Sequence, residues 1–284
     1  MRYATATVAA LLAILAAHVS AHGLVTQIQG ANGVNMPGLS VIDGTPRNCP
    51  TPGCGAEADT SIIRQNELGT SKASALGRTE GGGPVDAARV ILAFMGTASA
   101  GRTTAGNKRG LLGNLLGGNG GGTQSKGTKS TGVETGIQDT AGQGAQSGLP
   151  TCSDNGTISM TFHQVNQDGA GILTAMIDPI SGGTDPNAFQ KAEVIQDVPG
   201  DKLGLSTATS TDFPIKVQMP AGMTCEGSVA GVNNVCIVRI NNNALAGPFG
   251  GSAAFTQSPA AKKRAIEYNL RKRHIARGVL PKLE

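Results

Sequence analysis

Tryptophan is absent from this chain of 284 residues, and tyrosine occurs only twice, at Tyr3 and Tyr268 near the two ends. Six phenylalanines make up the rest of the aromatic set. A domain of this size needs them for its core. No flat Tyr or Trp platform of the kind that rests on sugar rings is therefore expected. Charge is also scarce, at 15% of residues, which excludes a coiled coil and a highly charged disordered chain. What is abundant is glycine: 42 Gly and 14 Pro argue against a mainly helical bundle, since each interior helical Gly costs about 1 kcal/mol relative to Ala.

Residues 1–21 read as a secretory leader. Arg2 gives a positive start, residues 8–17 form an apolar run, and Val19-Ser20-Ala21 supplies the small-residue ending accepted by signal peptidase. The run is shorter than the roughly 20 residues needed to cross a bilayer. No other segment approaches that length, so no membrane span is expected in the mature chain. The protein is expected to be secreted, either extracellular or held in a cell wall. Cleavage after Ala21 leaves a chain that begins His22-Gly-Leu-Val.

Residues 22–259 are expected to form one all-β domain, an immunoglobulin-like antiparallel β-sandwich with long Gly-rich loops and short helices. The first stretch, residues 22–43, alternates as an edge or first strand does. In Thr157-Ile-Ser-Met-Thr-Phe-His163, Ile158, Met160 and Phe162 share one face, while Ser159, Thr161 and His163 share the other. Further strands are expected over 172–177, 193–197, 214–219, 235–240 and 252–257, separated by Gly, Pro, Asn and Asp turns with no convincing helix between them. A short helix is expected around 59–68, and the apolar run 85–95 fits either a helix or a buried strand. Residues 101–150 hold 15 glycines and read as a flexible insertion with few stable contacts. Its Asn119-Gly-Gly-Gly122 lacks the Lys and Ser/Thr of a phosphate loop and reads as linker.

The five cysteines of a secreted chain default to disulfides. Cys225 and Cys236 flank a Gly/Asn-rich turn and are expected to pair; Cys49, Cys54 and Cys152 share one bond and one leftover thiol. Asn155-Gly-Thr157 is a glycosylation sequon on a turn. Residues 260–284 carry eight Lys/Arg against two Glu, whereas residues 22–259 carry 14 Lys/Arg against 17 Asp/Glu. The basic tail reads as a solvated helix or, more sharply, as a wall-binding or processed extension, with Lys262-Lys-Arg264 and Arg271-Lys-Arg273 as dibasic sites. No nucleic-acid partner is expected of a secreted protein with an acidic domain, and a monomer is expected.

After leader removal three histidines remain: His22, His163 and His274. His22 offers its ring and its own free amine to one ion, and an amine with a pKa of about 8 yields its proton to a metal at modest cost. A second ring from His163 completes a three-nitrogen site. Such nitrogen ligation suits copper(II). Gln164, Asn166 and Asp168 follow His163 as groups able to orient the ring; His274, in the basic tail, reads as solvated.

Four segments then carry a resemblance: His22 at the start, Met160-Thr-Phe-His-Gln-Val-Asn-Gln-Asp-Gly-Ala-Gly171, Val217-Gln-Met-Pro-Ala-Gly-Met-Thr-Cys225 and Ala246-Gly-Pro-Phe-Gly-Gly251. Together they resemble the fungal appressorium-specific (Egh-type) virulence-factor family, from His22 to about Gln257. That family in turn resembles lytic polysaccharide monooxygenases in its N-terminal histidine. The resemblance implies copper ligands at His22 and His163, an axial aromatic at Phe255, and Gln257 lining the site as catalytic groups. It also implies cysteines where this chain has Ala175, Ile240 and Ser252. Two functions follow as expectations: oxidative cleavage of a cell-wall polysaccharide by a copper-holding histidine brace, or a non-catalytic copper-binding or structural wall and adhesion protein.

Overall fold

Alternation between Thr157 and His163 fixes the middle of the fold. In β7 (Thr157–Gln164) the side chains of Ile158, Met160 and Phe162 are buried. They lie directly opposite Val217, Ile215 and Phe213 of β10 (Thr211–Gln218). Facing apolar pairs of this kind are the unit of sheet stability, and each fully buried side chain adds about 1.5–3 kcal/mol. The computed structural model describes residues 22–97 and 126–277. The leader, residues 101–125 of the Gly-rich segment and the last residues of the tail lie outside the described residues.

The remaining strands are β1 (Gly23–Gln29), β2 (Asn35–Pro37), β3 (Ser61–Ile62), β4 (Arg78–Thr79), β5 (Gly83–Pro84), β6 (Thr128–Lys129), β8 (Thr174–Asp178), β9 (Gln190–Gln196), β11 (Gly227–Val229), β12 (Val232–Asn241) and β13 (Phe249–Thr256). Their order is β2-β1-β7-β10-β9-β8-β12-β13-β3-β4-β5, with β11 on β12 and β6 on β10. Every pairing is antiparallel. The sheet curls until β1 packs on β13. Its two halves then face each other as the layers of an all-β, sandwich-like fold. Glycine permits the close approach: a Cβ at Gly251 would lie 2.6 Å from the Val25 nitrogen, and Leu39 N–H donates to the Ser252 carbonyl at 2.8 Å.

The run 85–95 resolves as helix α1 (Ala87–Met95). Ala87, Val90, Ile91 and Phe94 are its buried residues, a helical spacing. Asp86 caps it by accepting from Ala88 N–H, and Gly96 ends it in the left-handed region at φ 71°. No helix forms at 59–68. There Ser61 and Ile62 become β3, because Ile62 pairs with Phe249 and Ile63 N–H donates to the Pro248 carbonyl at 2.8 Å.

Residues 126–150, read from sequence as part of a segment with few stable contacts, instead contain β6 and helices α2 (Gly136–Thr140) and α3 (Gly144–Ser147). Charge anchors them. Glu134 accepts from Arg47, and Asp43 accepts the N–H groups of Ile137 and Gln138. The basic tail forms helix α4 (Pro259–Ala276), capped by Ser258 and packed through Ala261 and Ala265. The disulfides are Cys49–Cys54 and Cys225–Cys236, and Cys152 is a buried free thiol. Among the described residues no helix is long and apolar enough to cross a membrane.

Candidate functional site around His22 and His163

Strand register brings the two histidines together. Leu24 of β1 faces His163 of β7, and Gly23 faces Gln164. Val165 N–H donates to the His22 carbonyl at 2.9 Å, extending the ladder by one step. Opposed residues share a face and alternate ones return to it. His22 therefore stands on the His163 side of the sheet, one diagonal away, a spacing of about 7–8 Å in antiparallel pairs.

His163 is fully buried. Its Nδ1 is 2.7 Å from Asp212 Oδ1 and 3.2 Å from Ser130 Oγ, and the Ser130 hydroxyl donates to Asp212 Oδ2 at 2.7 Å. A carboxylate on Nδ1 fixes the proton there and turns the Nε2 lone pair outward from that clamp. Among the described residues Nε2 has no hydrogen-bond partner. Burial pushes the Asp212 carboxyl up, but the bonds from His163 and Ser130 and the nearby Arg47 charge outweigh it and hold the group below its ordinary value.

His22 is 2% exposed. Its backbone nitrogen donates to Asn166 Oδ1 at 2.8 Å, and its ring Nδ1 lies 3.1 Å from Glu57 Oε1. Asn166 Nδ2 donates to the same Glu57 oxygen at 3.1 Å. The ring tilts against Phe249, with centroids 4.6 Å apart. Burial, followed by the charges of Glu80 and Asp168, raises the Glu57 carboxyl to about 7. In the uncut chain the His22 nitrogen is an amide; the cleavage expected after Ala21 would make the same atom a basic amine.

Two glycines make the approach possible. A Cβ at Gly23 would lie 2.5 Å from the Gly169 carbonyl oxygen, and one at Gly169 would fall on the His22 carbonyl. Farther out, Arg47 binds Asp59 at 2.9 and 2.5 Å and Glu134 at 3.0 and 2.7 Å. Burial lowers the guanidinium, yet these two carboxylates hold it above its ordinary value. The clamp fixes the 130–134 segment that supplies Ser130.

Not every expected residue arrives here. Phe255 is buried in the main core opposite Cys236. It lies six residues along β13 from Phe249, about 20 Å at ~3.3 Å per residue. Phe249, in the same Gly-rich strand, is the ring that meets His22. Gln257 joins its side chain to the Cys225 N–H and the Met223 carbonyl, each at 2.9 Å, and lines a cavity of about 560 Å³ beside α4. Asn166 reaches His22, whereas Gln164 ties down the following loop through Ser206 and Ala208. Asp168 Oδ2 is buried with no hydrogen-bond partner among the described residues. His274 is exposed on α4. Sequence reading missed Glu57, Ser130 and Asp212. Only Asp212 had a signal, its place beside the alternating strand 214–219.

Among the described residues no group of three or more His, Cys, Asp or Glu side chains forms a ready metal cage. The donors expected for copper are two imidazoles and the His22 nitrogen, and His163 Nε2, without a hydrogen-bond partner among the described residues, fits such a set.

No solved structure matches the chain. It is 58% identical to the appressoria-specific virulence factor GAS2 of Pyricularia oryzae strain 70-15, over 98% of this chain and 97% of that protein. It is 29% identical to the appressoria-specific virulence factor GAS1 of the same strain, over 90% of this chain and 82% of that one. The family model for Egh16-like virulence factors matches residues 20–250. The chain belongs to the Egh16-like virulence factor family.

Proposed function

We propose that this is a secreted fungal protein, acting in virulence at the appressorium as its relatives' names describe, that holds one copper ion. The ligands are the amine and ring of His22 and Nε2 of His163. One observation carries the reading: His163 is clamped at Nδ1 by Asp212 and Ser130, while its buried Nε2 has no hydrogen-bond partner among the described residues. Nitrogen-ligated copper cycles between two oxidation states, and that is the chemistry it supplies. The chain does the rest. Asp212 keeps the His163 proton on Nδ1, Asn166 orients the His22 nitrogen, and Phe249 shelters the ring.

A second reading adds oxidative cleavage of a cell-wall polysaccharide at the same centre. It is favoured by the position of His22 just before β1, against Gly169 of the loop after β7. The burial of both rings and the absence of Tyr and Trp between residues 22 and 259 favour metal holding over contact with a polymer.

The test is copper titration with electron paramagnetic resonance. Protein beginning at His22 is expected to bind one Cu(II) with nitrogen hyperfine structure, and His163→Ala or a retained Ala21 to weaken binding about 100-fold. Equal affinity for all three forms refutes the reading. Reductant-dependent release of oxidised oligosaccharides from chitin or glucan separates the second reading from the first.

A further inference from the structure

The chain contains one Asn-x-Ser/Thr sequence, Asn155-Gly-Thr157. It occupies the turn that leads into β7, and Asn155 is exposed there. Gly156 sits at φ 85°, a conformation that glycine takes without strain. Asn155 Oδ1 accepts from the Ser153 hydroxyl and from Thr157 N–H. Its Nδ2, the atom a glycan is built on, donates no hydrogen bond within the described residues. A sugar on Nδ2 therefore costs the fold no bond.

The turn is held from two sides. Gln218, the last residue of β10, donates from Nε2 to the Asn155 carbonyl at 2.8 Å and accepts from the Thr157 hydroxyl at 3.1 Å. From the α4 side, the Ser258 hydroxyl donates to Asp154 Oδ1 at 2.7 Å and Arg264 to the Asp154 carbonyl at 3.2 Å. Beside these supports opens the cavity of about 560 Å³ that Asn155 itself lines. Tyr268, Met219 and Pro220 give it apolar surface, and Lys191, Glu193 and Arg264 give it charge. Tyr268 is 47% exposed and is the only tyrosine among the described residues.

We propose that Asn155 carries an N-linked glycan whose first sugars lie in this cavity against Tyr268. The inference rests on the secretion proposed above and not on copper. In the transfer, Asn155 Nδ2 attacks the anomeric carbon of a polyprenyl-diphosphate-linked oligosaccharide. The new C–N bond replaces the C–O bond to phosphate, the diphosphate departs, and the amide proton passes to the transferase. In the folded chain the apolar face of an N-acetylhexosamine suits the tyrosine ring. Its acetamide and hydroxyls offer partners to Lys191, Glu193 and Arg264. A ligand from solution must be captured, whereas this one is tethered at the rim. The copper ligands stay clear of it, since His163 lies six residues along β7 from Thr157, about 20 Å.

The test uses the full chain secreted by a fungal host and kept in chelator. Peptide mass spectrometry should find hexosamine on Asn155, and an aspartate at that position after release by a peptide-N-glycosidase. Asn155→Gln should abolish the modification. With no tryptophan in the chain and Tyr3 in the leader, tyrosine emission reports Tyr268 alone. Stripping the glycan from the folded protein should raise acrylamide quenching of that emission about twofold, because one face of a half-exposed ring loses its cover. Enzymatic stripping needs no refolding, so this readout does not depend on how well the variant folds. Secreted protein with a bare Asn155 overturns the proposal and leaves secretion standing. A glycan whose removal leaves Tyr268 quenching unchanged overturns its seat in the cavity. A chain retained in the cell overturns the secretion reading and this proposal together.

Discussion

Replacing Arg47 with methionine tests whether the buried charge clamp holds the loops over the site. Arg47 is 6% exposed and Asp59 is fully buried, and Arg47 spans Asp59 and Glu134 with four charge-assisted bonds. The methionine side chain fills much of the same space, so the main change is the loss of the cation. Asp59 keeps its bond from Ile42 N–H but faces Glu134 without compensation. Removing one partner from a buried pair costs about 3–5 kcal/mol, against a total stability of about 5–15 kcal/mol for a domain. At roughly 2–4 °C per kcal/mol the thermal midpoint should fall by about 6–20 °C. Urea unfolding followed by far-UV circular dichroism measures the change directly. The triple variant Arg47→Met, Asp59→Asn, Glu134→Gln should recover most of the loss, because no uncompensated charge remains. A shift under about 1 kcal/mol, the level of an exposed ion pair, would show that water reaches these groups and would refute the argument.

Asp212→Asn should weaken copper binding about 10–100-fold, the usual effect of removing the partner of a ligating histidine, with calorimetry as the measurement. Asp197 accepts from Leu173 and Val198 N–H, yet burial raises its carboxyl to about 6. A folded value above the unfolded one means that stability falls as pH rises from about 4 to 6. Asp197→Asn should remove that slope, and parallel unfolding curves at pH 4 and 7 that match wild type would count against it. Replacing both Cys225 and Cys236 by Ser should cost about 3 kcal/mol, since the bond closes a loop over a separation of 11 residues; urea midpoints decide.

The strands from β7 onward were readable wherever alternation was clean, as in Thr157–Gln164 with its buried Ile158, Met160 and Phe162. Residues 59–68 misled because Ile62 and Ile63 owe their conformation to β13 and Pro248, almost 190 residues away in sequence. Glycine richness similarly hid the order in residues 126–150, where three acidic or basic side chains, Asp43, Arg47 and Glu134, impose it. At the site, His22 and His163 stood out from composition because so few histidines exist. Their partners did not. Asp212 reaches His163 through the register of β10 on β7, and Ser130 arrives from another segment. Phe249 and Phe255 bracket a strand of small residues with no polar alternation, so local pattern gives no means to choose the one beside His22.

The packing of β1 on β13 also orders events in time. The strand that opens the domain can pair with β7 once residue 164 has been made, but β13, the strand that packs against it, begins more than 220 residues after β1 does. A chain stopped short of Phe249 would leave β1 with no closing strand to shut against.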